Sequence, residues 1–447
     1  MIKKPEFTVL EGIAYLVGAI GIQLSTVMVA QWSAFYYAPA AGSENKIFFV
    51  SVGMATAMMV IGRVFDAVSD PVVGYWSDKT RSKWGRRKPF LIIGSIIHTI
   101  VFILFWLPPV QGSSILNFFW GTFFATAYYW AITVVLVPYI ALAPEIARTT
   151  EDRILLGKYT AMGMIVGLVL GNFTGAMIEM IGMKTTAIII GLTSLVFFQF
   201  AGWAIKERYR DESEEIASSL KDVFKQMSGT LNNRPFLIFV LAETIFTLGF
   251  FVIQIMLPDF NKVILKKDEG FVTVLLLPFL AVCIPLLFVV GPIVKKWNKK
   301  ITYAMGMFGF AVLFPLFGII GALSIPLSTK IILILIVVGV AGAPQAIKYV
   351  MPTVMIGEIA DYGETITGHR REAIYAGAIG FGTKTAMSLS YIIRLAVYSA
   401  AGGYSVDNPK AILLIGPVVA VISMIGFFVF LAKYPVLHVV KDEINSK

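Results

Sequence analysis

An all-α membrane protein of twelve spanning helices, paired as two six-helix bundles, is the fold this sequence predicts. The 447 residues are 57% hydrophobic and 14% charged, with a mean hydropathy of +0.80. A soluble chain of this size carries about 25% charged residues. Apolar stretches of roughly 20 residues, each able to cross a hydrocarbon core of about 30 Å, recur along the whole length. The longest polar stretch, Lys206 to Arg234, falls near the middle. Period-2 alternation, the mark of a membrane β-barrel, is absent.

The spans follow in order. Residues 9–37 come directly after Lys3 and Lys4; the run is too long for a signal-peptide core and is expected to stay as the first helix. Residues 47–76 hold two acids, and 88–107 follow a basic turn. Residues 115–143 are rich in aromatics, and 157–181 and 184–206 complete the first half. In the polar connection, Ile216, Leu220, Val223, Phe224 and Met227 recur at helical spacing, which predicts an amphipathic helix on the membrane surface. The second half spans 235–260, 270–294, 301–321, 328–357, 372–400 and 410–434. The expected organisation is therefore a bundle at 1–205, a linker at 206–234, a second bundle at 235–434 and a tail at 435–447. The halves echo each other after their second helices. Gly74-Tyr-Trp-Ser-Asp78-Lys79 leads into Trp84-Gly85-Arg86-Arg87-Lys88, and Gly291-Pro-Ile-Val-Lys295-Lys296 leads into Trp297-Asn298-Lys299-Lys300. Two-fold repeats of this kind characterise many secondary transporters.

The net charge of +10 reports topology. Most Lys and Arg fall in the termini and the even-numbered loops, which places both ends in the cytoplasm of a multi-pass protein of the cell's inner membrane. Seven fall in the odd-numbered loops, and the weak spot is the loop after the seventh span, where Lys262, Lys266 and Lys267 would face outward. No nucleic-acid partner is implied. The single cysteine, Cys283, excludes a disulfide framework and a cysteine metal cluster. No nucleophile–base pair or phosphate loop stands out, so neither enzyme chemistry nor a cofactor is expected.

The charges inside the apolar spans carry the functional signal. Asp66 and Asp70 lie four residues apart with Ser69 beside them, and positions 63, 66, 70 and 74 share one helical face. A carboxylate at the bilayer centre costs about 2.5–3.5 kcal/mol even on lenient scales. Their oxygens are the hard ligands that small cations prefer. The plain alternative is a structural ion pair with Arg63 or Lys384. Pro71 cannot donate to the carbonyl of Ala67, which frees an oxygen nearby. Lys348, Arg394 and Glu243 either line a pathway or pair with polar neighbours. Tyr128, Tyr129 and Trp130 either pack the core or face a solute, and His98 reads as a structural polar group. Asp78, Arg86, Arg87, Arg148, Arg153, Glu358, Asp361 and Glu364 mark helix ends, as topology signals or as ion pairs that latch one state of a transporter.

Gly74-x-x-x-Asp78-Lys79 with Gly85-Arg86-Arg87 resembles the loop signature of the major facilitator superfamily. Together with Asp66-Ala-Val-Ser-Asp70-Pro71, Val137-Pro138-Tyr139, Asp361-Tyr362-Gly363-Glu364, Arg371-Glu372 and Lys384, the chain resembles the glycoside–pentoside–hexuronide:cation symporters, the melibiose-permease-like branch. The resemblance implies the major facilitator fold, with substrate and cation bound between the halves. It also implies a Na⁺ or H⁺ site at Asp66, Ser69, Asp70 and Thr133, with Lys384 pairing with the acids when the cation is absent. Asp66 and Asp70 would be the metal ligands if the ion is Na⁺. Ser69 stands where melibiose permease has an amide. At the solute positions Gln23 and Leu136 replace acids and Ile140 replaces a tryptophan, while Tyr128 and Tyr349 keep aromatics. Losing both acids argues against the same galactoside recognition, because a buried group that grips a hydroxyl is what makes such a site selective. Lysophosphatidylcholine symporters of the same broad group also combine the two acids with an amide in the first helix.

The expected function is cation-coupled import of a sugar- or glycoside-like solute by alternating access; the alternative is a lysophospholipid-like amphiphile. Asp78, Arg86, Arg87 and Asp361 are the expected cytoplasmic gate. The partners are a small solute, a monovalent coupling cation and membrane lipid, and one copy of the chain is enough.

Overall fold

The computed structural model describes residues 7–42, 47–147, 149–207, 221, 228–367 and 372–435. Ile216, Leu220, Val223, Phe224 and Met227 of the expected amphipathic segment, the tail beyond 435, Arg148 and Arg371 lie outside them. The described chain is helical. In order it forms α1 (Val9–Tyr37), α2 (Val52–Lys79), α3 (Lys88–Phe105), α4 (Ile115–Ile146), α5 (Thr150–Asn172), α6 (Thr174–Ile181), α7 (Met183–Ala204), α8 (Arg234–Val263), α9 (Gly270–Trp297), α10 (Lys299–Ala322), α11 (Leu327–Thr367), α12 (Glu372–Ala400) and α13 (Lys410–Lys433). Among the described residues eleven spans are long and apolar enough to cross a membrane, α5 and α6 together making one. The twelfth, α12, is 29 residues long but diluted by glycines, Thr383, Lys384, Ser388, Ser390 and Arg394.

Helix starts follow local capping chemistry. Thr8 and Glu11 form a capping box at α1, and Ser51, Ser114 and Thr149 cap α2, α4 and α5 through their hydroxyls. Ser51 therefore starts the second span at 52, five residues later than the apolar pattern suggests. Another difference lies at α11, which runs ten residues past the expected end at 357. No proline interrupts Glu358–Glu364, so the helix continues beyond its apolar part and carries Asp361 in its last turns. The span expected at 157–181 is broken at Phe173. There the Thr273 hydroxyl accepts from Ala176 N (3.2 Å) and donates to Asn172 O (2.8 Å), standing in for a direct backbone bond. A side chain inserted into the ladder is a recognised cause of a helix break. Trp32 Nε1 donates to Thr174 Oγ1 at 3.1 Å and holds the break in place.

The chain divides into two compact units, Met1–Leu220 with Gln254–Val274 and Ser405–Asp407, and Lys221–Ile253 with Leu275–Tyr404 and Asn408–Lys447. In the first, α1 packs on α5 and α7, α2 on α4, and α3 on α4 and α7. In the second, α10 packs on α11 and α13. These are the repeat-equivalents of the α3 contacts. The α10–α13 approach depends on glycine: a Cβ on Gly318 would sit 2.1 Å from Leu413 O, and one on Gly416 2.2 Å from Phe314 O. Small residues of this kind let membrane helices pack backbone to backbone.

Candidate functional site

The α2 acids meet α4 at a closed polar cluster inside the first unit. Asp66, Ser69, Arg63 and Thr133 are all buried, and Asp70 is half-buried. Val64, Phe65 and Val68 on the opposite side of α2 are exposed, so helical periodicity alone turns the acids inward. Ser69 Oγ donates to Asp66 O at 2.7 Å and reaches Thr133 Oγ1 at 3.0 Å. Thr133 Oγ1 in turn lies 3.4 Å from Asp66 Oδ1 and 3.3 Å from Asp70 Oδ1. Its one proton serves a single carboxylate at a time. Arg63 pairs with Asp66 Oδ2 at 3.1 Å, and its guanidinium lies 4.1 Å from the centre of the Tyr129 ring. Taken by themselves, Asp66, Asp70 and Arg63 sum to −1, and Ser69 and Thr133 add hydroxyl oxygens to the carboxylates. Such a group suits a monovalent cation or a proton. Among the described residues no three His, Cys, Asp or Glu side chains gather as a multivalent metal site.

The other expected solute positions are spread out. In the first unit Gln23 (α1) and Leu136 (α4) are half-buried and Ile140 is exposed. Tyr128 turns into the bundle core, 5.5 Å from the His98 ring and 5.8 Å from Phe102. In the second unit Tyr349 on α11 is 44% exposed and Lys384 on α12 is half-buried.

Asp78, Arg86 and Arg87 are joined by an acid the sequence reading did not single out. Glu145, at the end of α4, lies 2.5 Å from Arg86 Nη2 and 3.1 Å from Arg87 Nε. Asp78 Oδ1 is 3.1 Å from Arg87 and 3.9 Å from Arg86. Burial pushes the Glu145 carboxyl above its ordinary value, against the pull of the two arginines. Glu207 accepts the backbone N–H groups of Arg86, Arg87 and Lys88 at 2.8, 2.9 and 2.7 Å, so a carboxylate closes the positive end of α3. The missed signal was a repeat: Pro144-Glu145-Ile146-Ala147 recurs as Gly357-Glu358-Ile359-Ala360.

Glu243, Lys348 and Tyr303 also converge, within the second unit. Glu243 is buried on α8 and accepts from Tyr303 OH at 2.6 Å, Lys348 Nζ at 3.2 Å and Thr247 Oγ1 at 3.2 Å. Of the two readings open for Glu243 and Lys348, the structure displays the pair.

Twelve spans in two related halves, with charged side chains buried between helices, define a polytopic membrane transporter of the major facilitator type. The chain matches the MFS/sugar transport protein family over residues 14–436 and belongs to it. Among relatives, it is 24% identical to the uncharacterized symporter YnaJ of Bacillus subtilis over 87% of this chain and 82% of that one. It is 22% identical to the glucuronide carrier protein homolog of Escherichia coli over 95% and 92%. A stronger but local match, 31% identity to the uncharacterized symporter sll1374 of Synechocystis, spans 35% of this chain and only 29% of that protein. Among solved structures, the nucleoside transporter NupG superposes with a TM-score of 0.68 at 12% identity, covering 96% of this chain and 100% of the other. The likeness to NupG is one of fold.

Proposed function

We propose that the protein is a Na⁺- or H⁺-coupled symporter that imports a sugar- or glycoside-like solute without transforming it chemically. The observation that carries this reading is the convergence of Asp66, Asp70 and Ser69 within hydrogen-bond reach of Thr133 in the interior of the first unit. A bound cation neutralises the −1 charge of the cluster with Arg63. Lys384 takes its place when the cation leaves. Asp78, Arg86, Arg87 and Asp361 act as the gate, and both termini face the cytoplasm of the cell membrane. One copy of the chain suffices, and no cofactor takes part beyond the coupling ion. The glucuronide carrier homolog among the relatives supports a glycoside-class solute. Coupling follows when cation and solute favour the same closed state, and each must then raise the other's affinity by the same factor.

Thermal stability of the purified protein with sugars, glycosides and lysolipids, in Na⁺ and in Na⁺-free buffer at two pH values, tests the proposal. A ligand at 100 times its Kd adds about 2.7 kcal/mol to the folded state. A sugar or glycoside that stabilises more strongly with the cation is the expected result, and Asp70→Asn removes that dependence. Stabilisation by lysolipids alone would replace the solute class with an amphiphile. Apolar Leu136 and Ile140, the latter 55% exposed, favour that second reading.

A further inference from the structure

The turn between α9 and α10 is the second copy of the turn between α2 and α3, and it has lost most of its acids. Lys295 follows Gly291 as Asp78 follows Gly74, and Glu358 matches Glu145. Tyr434 and Pro435 follow the last helix as Ile205 and Lys206 follow α7, and Val436 stands in the sequence where Glu207 does. In the first copy Asp78, Glu145 and Glu207 hold Arg86, the buried Arg87 and the N-terminus of α3. In the second copy Glu358 alone remains, 3.2 Å from Lys299.

A cavity of about 970 Å³ stands at this turn, lined by Lys295, Lys296, Lys299, Lys300, Glu358 and Tyr434 among others. Four ammonium groups and one carboxylate give the wall a charge of +3. Asn298, at φ +64, caps α10 through Ile301 N at 3.0 Å, so the cap is neutral where Glu207 is charged. Tyr434 is 2% exposed, and its buried hydroxyl has no hydrogen-bond partner among the described residues. Burial, and then Glu358, push that hydroxyl above its ordinary value, which keeps it a donor. Beside the lysines Trp297, Ile301 and Met305 are 42, 44 and 40% exposed and form an apolar shelf. A lysine-rich helix end is usually a solvated topology signal. An open cavity of this size, with an apolar shelf and a buried donor that has no partner among the described residues, is more than that.

We propose that this cavity binds an anionic phospholipid. The lysines and Tyr434 receive the headgroup phosphate in place of the missing carboxylates, and the Trp297–Ile301–Met305 shelf carries the beginning of an acyl chain. Basic pockets between membrane helices are suited to anionic headgroups. The shelf selects a lipid over free phosphate. The site is independent of the solute and cation assignment.

The test uses the full chain in nanodiscs of neutral phosphatidylcholine with increasing phosphatidylglycerol, read by thermal stability and by the lipid retained in native mass spectrometry. Phosphatidylglycerol is expected to stabilise and to be retained. The Lys296→Gln/Lys300→Gln variant should weaken retention about fivefold for each lysine removed. Tyr434→Phe, which removes one oxygen and no volume, should weaken it in the same direction. Arg81→Gln/Lys83→Gln deletes the same charge from the exposed turn of the first copy and should change nothing. An equal loss in that control would overturn the site in favour of general surface attraction. Stabilisation by inorganic phosphate alone would overturn the lipid assignment, and so would unchanged retention in both cavity variants.

Discussion

Both units bury carboxylates among their helices, and they treat them in opposite ways. In the first, Asp66 and Asp70 share the Thr133 hydroxyl, and Asp66 also pairs with Arg63 and lies beside Ser69. In the second, Glu243 faces one ammonium and two hydroxyl donors, and the Glu243–Lys348 group sums to zero. The cation proposed for the first would meet carboxylate and hydroxyl oxygens, whereas at Glu243 it would have to displace a lysine. The same chemical ingredients thus give two acids bridged by a hydroxyl in one unit and a lysine–glutamate pair in the other.

The largest effect should come from breaking the closed pair. Glu243→Gln leaves the Lys348 ammonium against a neutral amide, and loss of one member of a buried pair costs about 3–5 kcal/mol. Unfolding in detergent would measure it, and Glu243→Leu combined with Lys348→Met should recover most of the loss. A stable Glu243→Gln protein that has lost coupled transport would reverse the comparison. At the α2–α4 acid cluster, Asp70→Asn should erase the cation's stabilisation, about 2.7 kcal/mol at 100 times Kd, while the cation-free protein melts close to the parent. Thr133→Val keeps the volume and removes the hydroxyl shared by both acids. It should weaken cation binding by about 1 kcal/mol, roughly fivefold, in a titration followed by stability. The smallest effect concerns Glu145, outside the membrane spans. Its pKa is raised on folding, so its contribution to stability is full below the ordinary carboxyl value and is lost as pH rises through the folded value. As pH rises above 4.5 the parent should therefore lose stability relative to Glu145→Gln in parallel melts.

The apolar spans and the Asp66–Asp70 spacing were legible because both are local: a run of about 20 apolar residues or an i, i+4 pair needs no knowledge of the rest of the chain. The break at Phe173 was not, since its cause is Thr273, about a hundred residues away. The extra turns of α11 escaped because hydropathy marks the membrane and not the end of hydrogen bonding. Glu145 was missed for a similar reason. Nothing beside it in sequence announces Arg86 and Arg87, which approach only when α3 packs on α4. Tyr128, a solute position by resemblance, lies against His98 and Phe102 because helix rotation, invisible in a string of letters, decides which wall an aromatic faces.

The contacts of Lys206 and Glu207 bear on how the chain is made. Lys206 N donates to Glu11 Oε1 at 3.1 Å, and the Glu207 carboxylate closes the start of α3. Both fasteners emerge from the ribosome only after the seventh helix, although the helices they clasp are among the first to be synthesised. The early helices must therefore wait in the bilayer with an unsealed end. A nascent chain arrested at Ala204 should be nicked by protease near residues 80–88, and one extended past residue 207 should resist.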